Sequence, residues 1–122
     1  MKVSVKSGPL IEVATKNHII QYATDGSLPN PLESVYACIA GCAAVFAKKA
    51  CHDLGVNEDG IEIELKAIGD KAKLGAIGKI TINMAFPEHI SVEQRSAIIA
   101  SVEKCPVKAL IEQGGSIEFV II

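Results

Sequence analysis

Residues 31–51, PLESVYACIAGCAAVFAKKAC, decide the fold and raise the question of function, because they place three of the chain's four cysteines on one apparent helix. Asn30 is suited to cap that helix. Pro31 fits the first helical position, where its missing N–H costs nothing, and Glu33 stands where a capping box needs an acid. The helix is expected to run to about Leu54 and to stop at Gly55. Ser34 to Ala47 carries no charge, yet this run is shorter than the ~20 apolar residues of a membrane span, so no membrane partner is expected.

Working outward, Val3 to Lys6, Leu10 to Thr15 and Ile19 to Tyr22 read as short strands punctuated by SGP and KNH. On the other side, IEIELKAI (61–68) and KITINMAF (79–86) alternate apolar and polar residues, predicting two half-buried antiparallel strands joined by a turn rich in Gly and Lys. Ser91 to Gln94 forms a second capping box, and Ala97, Ile98, Ile99 and Val102 form a helical stripe up to Cys105. Pro106 then breaks that helix, so VKALIEQG is a separate turn or short helix with Cys105 as its cap, and SIEFVII (116–122) reads as a final strand. The predicted order is β-β-β-α-β-β-α-β. This is an α+β protein, a single domain over residues 1–122, with antiparallel sheets packed on two main helices.

The formal charge of −2 is spread along the chain, tryptophan is absent and aromatics make up 4%, so neither a phosphate-binding patch nor a base-stacking platform is present and nucleic acid is not an expected partner. The opening MKVSVKSGPL has no apolar core of the kind a signal peptide needs, and a cytoplasmic location is expected. In a reducing compartment the four cysteines are thiols, either inert in the core or reactive, rather than two structural disulfides.

Cys38 and Cys42 are four residues apart and share a helix face, but the ~5 to 6 Å between such Cβ atoms exceeds the ~3.8 Å a disulfide wants. Cys51 points to the opposite side from Cys42. Cys51 and Cys38 both read as small buried hydrophobes. Cys105, at a predicted helix N-terminus, is either a satisfied core thiol or one whose thiolate is favoured by the free N–H groups and the helix dipole. A soft-metal site of Cys38, Cys42 and His52 is a further alternative, although His52 lies about 80° round the helix from Cys42.

The combination NPLESVYACIAGC (30–42) followed by CPVKAL (105–110) resembles the OsmC/Ohr family of hydroperoxide reductases, and the element order matches over essentially the whole chain. In that family the reactive cysteine comes eleven residues after the helix-opening proline, here Cys42 after Pro31, and the second cysteine stands in a CP pair, here Cys105-Pro106. The resemblance implies an OsmC-like fold and an intertwined homodimer. It also implies a peroxidase cycle in which Cys42 attacks an organic hydroperoxide, Cys105 resolves the sulfenic acid as a disulfide, and an external dithiol reduces it, with no cofactor and no metal.

Family peroxidases also use an arginine from the N-terminal strands and a glutamate directly after the proline. Here that position is Leu32, Glu33 comes one residue late, and the chain's only arginine is Arg95. Glu33, Lys16 and His18 are the candidates for activating the thiol or orienting the substrate. The alternative to catalysis is a binding protein of the same fold that holds a small hydrophobic or thiol-reactive ligand.

Overall fold

The computed structural model describes residues 1–69 and 77–122. The expected turn between the two central strands falls mostly outside them. The described chain is α+β, with strands β1 (Lys2–Val3), β2 (Leu10–Ala14), β3 (Ile19–Ala23), β4 (Glu62–Gly69) and β5 (Ile77–Ala85), and helices α1 (Pro31–Leu54), α2 (Val92–Val102) and α3 (Pro106–Gln113). It divides into two compact units, Met1–Ala37 and Cys38–Ile122, with α1 running from the first into the second.

The first unit holds a three-stranded antiparallel sheet in the order β1-β2-β3, in which Val13 pairs with both Val3 and Ile20. The β2–β3 turn is closed by Thr15, whose hydroxyl donates to the His18 carbonyl at 2.9 Å and accepts from the His18 N–H at 3.0 Å. The first turn of α1 carries the expected capping box. The Glu33 N–H donates to Asn30 Oδ1 and the Asn30 N–H donates to Glu33 Oε2, each at 2.9 Å, satisfying two amides that the helix itself leaves unpaired.

In the second unit α1 buries Ile39, Ala43, Ala47, Ala50 and Cys51, a single stripe at helical spacing. Gly55, with φ of +65°, ends the helix as a left-handed residue that glycine tolerates best. By length and composition α1 could also cross a membrane, a property it shares with core helices of soluble proteins. Strands β4 and β5 pair antiparallel, with Ile63 opposite Met84 and Leu65 opposite Ile82. The core joins the α1 stripe to Ile90, Ile98 and Val102, and Ile63, Ile82, Met84 and Phe86 of the hairpin region pack against it. Fully buried isoleucines such as Ile90 and Ile98 contribute about 2 to 3 kcal/mol each through the apolar surface they remove from water. Ser91 caps α2 in a complete capping box with Gln94.

Two expectations are corrected. Residues 116–122 do not form the predicted final strand, so the observed order is β-β-β-α-β-β-α-α. Their alternation is that of a strand, but strands exist through a hydrogen-bonded neighbour, and among the described residues none pairs with this segment. Ile117, Phe119 and Ile121 are left exposed. Cys38 is likewise exposed rather than a buried hydrophobe, because it lies off the stripe that α1 turns to the core.

Candidate functional site

Two elements of the second unit build the site. Helix α1 carries Cys42 one position before the buried Ala43, which leaves the thiol half-buried at the margin of the core. After α2 the chain turns through Glu103 and Lys104, and the Cys105 N–H donates to the Val102 carbonyl at 3.0 Å. Cys105 is the N-cap of α3, with Pro106 in the first helical position. Proline has no N–H to leave unpaired there, so the helix starts directly behind the cysteine, whose residue is only 3% exposed.

The structure brings Cys42 and Cys105 together, with their thiols within hydrogen-bonding reach of each other. Both are reduced. Burial pushes the Cys42 thiol up, the hydrogen bond it shares with Cys105 adds to this, and the Val107 amide opposes it. Burial pushes Cys105 up as well. The Cys42 hydrogen bond, the amides of Lys108 and Val107 and the Lys108 charge outweigh it, so Cys105 lies below the ordinary thiol range. Its sulfur accepts no strict capping hydrogen bond, so these amides act on it as the oriented dipoles of a helix N-terminus.

A cavity of about 750 Å³ opens beside the pair. Ile39, Ile82, Met84 and Val102 give it an apolar wall, while Cys105, Lys108 and Glu112 bring the polar groups. Cys42 is not among its lining residues. Lys108 Nζ bonds Glu112 Oε2 at 2.9 Å, one helical turn along α3. Neither of these two residues stood out in the sequence. The signal was the CPVK spacing, since a lysine three residues after an N-cap lies one turn from it.

The remaining candidates are accounted for locally. Glu33 is committed to the α1 capping box, and Lys16 and His18 sit exposed in the β2–β3 turn of the first unit. Cys51 is wholly buried in the core, where burial and the Glu58 charge push its thiol up. His52 and Cys38 are both exposed, and among the described residues no three metal-ligating side chains converge. Arg95 serves the loop into α2: Nε donates to the Ile90 carbonyl at 2.9 Å, Nη2 to the Pro87 carbonyl at 3.3 Å, and the guanidinium lies 5.9 Å from the Phe86 ring centre.

A family model for OsmC-like protein matches residues 24–120. Among solved structures, the chain resembles a candidate osmotic stress induced and detoxification response protein from Psychrobacter arcticus 273-4, with a TM-score of 0.68 and 16% identity over 88% of this chain and 84% of that one. At that identity the likeness speaks for the fold. No curated protein matches.

Proposed function

Because the chain belongs to the OsmC-like protein family, we propose that it is a thiol-dependent peroxidase of a stress or detoxification response, reducing organic hydroperoxides through Cys42 and Cys105. The observation that carries this reading is the pair itself, two unbridged cysteines in hydrogen-bonding reach beside a cavity with an apolar wall. An ordinary thiol with pKa near 8.5 is only a few per cent ionised at neutral pH, so a useful reagent needs an environment that favours the thiolate. The start of α3 supplies one.

In the reaction one thiolate attacks the terminal oxygen of ROOH. An S–O bond forms, the O–O bond breaks, and RO⁻ leaves as the alcohol after taking a proton. The second thiol then attacks the sulfenic sulfur, forming the S–S bond and releasing water. An external dithiol returns both sulfurs to the thiol state by exchange, which suits a reducing compartment such as the cytoplasm. The apolar cavity wall suits the organic part of the hydroperoxide.

The working unit in this reading is a homodimer. Residues 116–122 present strand-like alternation with no ladder partner among the described residues, and Phe119 is 94% exposed, so a second copy is the natural cover. Light scattering is expected to give twice the chain mass of 12.9 kDa.

The test of the chemistry is intact mass under non-reducing conditions after one equivalent of cumene hydroperoxide, with peptide mapping. A Cys42–Cys105 cross-link is expected in the wild type and absent from Cys42→Ser and Cys105→Ser. Unchanged wild-type thiols would overturn the peroxidase and favour the ligand-holding alternative, for which the cavity without an arginine speaks.

A further inference from the structure

Methionine is the other residue type whose sulfur a hydroperoxide oxidises, and the chain has two, in opposite settings. Met1 belongs to the first unit and is 94% exposed. Met84 stands on β5 opposite Ile63, is half-buried, and packs against the core that the α1 stripe forms with Ile90 and Ile98. It also lines the cavity that Cys105 lines, so its thioether belongs to the apolar wall against which the organic part of a hydroperoxide would rest.

We propose that Met84 is an oxidation site of the cavity, taking oxygen from an organic hydroperoxide once the two thiols are oxidised, and that its sulfoxide closes the cavity to further hydroperoxide. The timing rests on the two-thiol peroxidase reading and is the same whichever thiol attacks first. A thiolate is a far stronger nucleophile than a neutral thioether, so a reduced pair consumes the peroxide before Met84 can. With Cys42 and Cys105 joined, Met84 carries the one unoxidised sulfur among the described lining residues.

In that step a lone pair of the Met84 sulfur takes the terminal oxygen of ROOH. An S–O bond forms, the O–O bond breaks, and the alkoxide leaves as alcohol with the proton that the transferred oxygen carried. The sulfur gives up two electrons and the peroxide gains them, so no further reagent is needed. The product is a polar sulfoxide beside Ile39, Ile82 and Val102, where a strong acceptor without a donor is costly and repels the hydrocarbon part of a substrate. Sulfoxide reductases reverse the change. The cavity thus stays open while dithiol supply keeps pace with peroxide and shuts when it falls behind.

The experiment uses the full chain, as wild type and as Cys42→Ser/Cys105→Ser, which has no thiol at the cavity whatever the peroxidase chemistry. Each sulfoxide is followed by peptide mass spectrometry, with Met1 as the internal reference for oxidation from solution. In the double variant, cumene hydroperoxide is expected to oxidise Met84 at least about threefold faster than Met1, and hydrogen peroxide to favour the exposed Met1. Saturating cumyl alcohol should protect Met84 alone. Excess dithiothreitol should delay Met84 oxidation at least about tenfold more in wild type than in the double variant, because only wild type has thiols for it to restore. Wild type oxidised at Met84 and then reduced at its cysteines should consume cumene hydroperoxide at least about fivefold slower than before, and recover with both sulfoxide reductase classes. Met84→Leu should keep its own initial rate through the same treatment.

Faster oxidation of Met1 than of Met84 by cumene hydroperoxide, or no protection by cumyl alcohol, overturns the cavity site. Undiminished turnover with Met84 fully oxidised overturns the closure. If the wild-type thiols ignore hydroperoxide, the peroxidase reading fails and the timing with it, and the double variant still decides whether the cavity delivers hydroperoxide to Met84.

Discussion

Cys51 and Cys105 are both buried, at 0% and 3% exposure, and in a reading by burial alone they are the same residue. Their thiols nonetheless shift in opposite directions. Cys51 lies near the C-terminal end of α1 among alanines and isoleucines, with the Glu58 carboxylate as the charge that acts on it. Cys105 lies at the N-terminal end of α3, against two amides, a lysine and a second thiol. Burial raises any thiol, so what separates a core filler from a reagent is which end of a helix it occupies and which sign of charge faces it.

The largest expected contrast is in chemistry. Cys105→Ser should lose the hydroperoxide-dependent disulfide altogether, while Cys51→Ser should form it at a rate within about twofold of wild type, since its thiol takes no part in the exchange. A non-reducing mass spectrum of each variant decides it, and equal cross-linking in both would break the comparison.

Next comes stability. Cys51→Ser places a hydroxyl in an apolar core at a cost of about 1 to 3 kcal/mol if it finds no hydrogen-bond partner, read as a lower urea midpoint. Lys108→Gln should cost no more than about 0.5 kcal/mol, because the lysine side chain is 45% exposed and its pair with Glu112 is a solvent-screened i,i+4 contact.

The pH dependence of stability sharpens the comparison further, since its sign differs at the two sites. For Cys51 the folded thiol ionises less readily than the unfolded one. The unfolded chain therefore loses its proton first, and the contribution to stability falls as pH rises above the unfolded value of about 8.5. For Cys105 the folded thiol ionises more readily. Its contribution is present above the unfolded value and is lost as pH falls through the lower folded one. Urea titrations from pH 6 to 10 should show Cys51→Ala flattening the alkaline loss and Cys105→Ser removing the gain. Parallel curves for the two variants would show that the environments do not differ as described.

Much of this is legible in the sequence. Asn30, Pro31, Glu33 and Gly55 bracket α1, and Ser91 with Gln94 opens α2, because capping is a local transaction between residues a few positions apart. Cys51 was readable as core by its rotation from Cys42. Cys38 was not, since composition makes α1 apolar nearly all round and only tertiary packing chooses the buried stripe. The segment 116–122 failed for a similar reason: alternation reports a capacity to pair, and the neighbour that would satisfy it cannot be read from the segment itself. Lys108 is one lysine among several in the sequence, and only the packing of α3 puts it at the cavity beside Cys105, while Lys16 and His18 stand exposed in a turn.

With its sole guanidinium bound to the Pro87 and Ile90 carbonyls, the chain brings amines rather than a guanidinium to its cavity. A guanidinium keeps its charge through all ordinary cellular acylation, whereas a lysine acetylated at Nζ becomes neutral. The positive charge beside Cys105 therefore belongs to an amine, Lys108, whose side chain is 45% exposed, and is of the kind that a single N-acylation would erase.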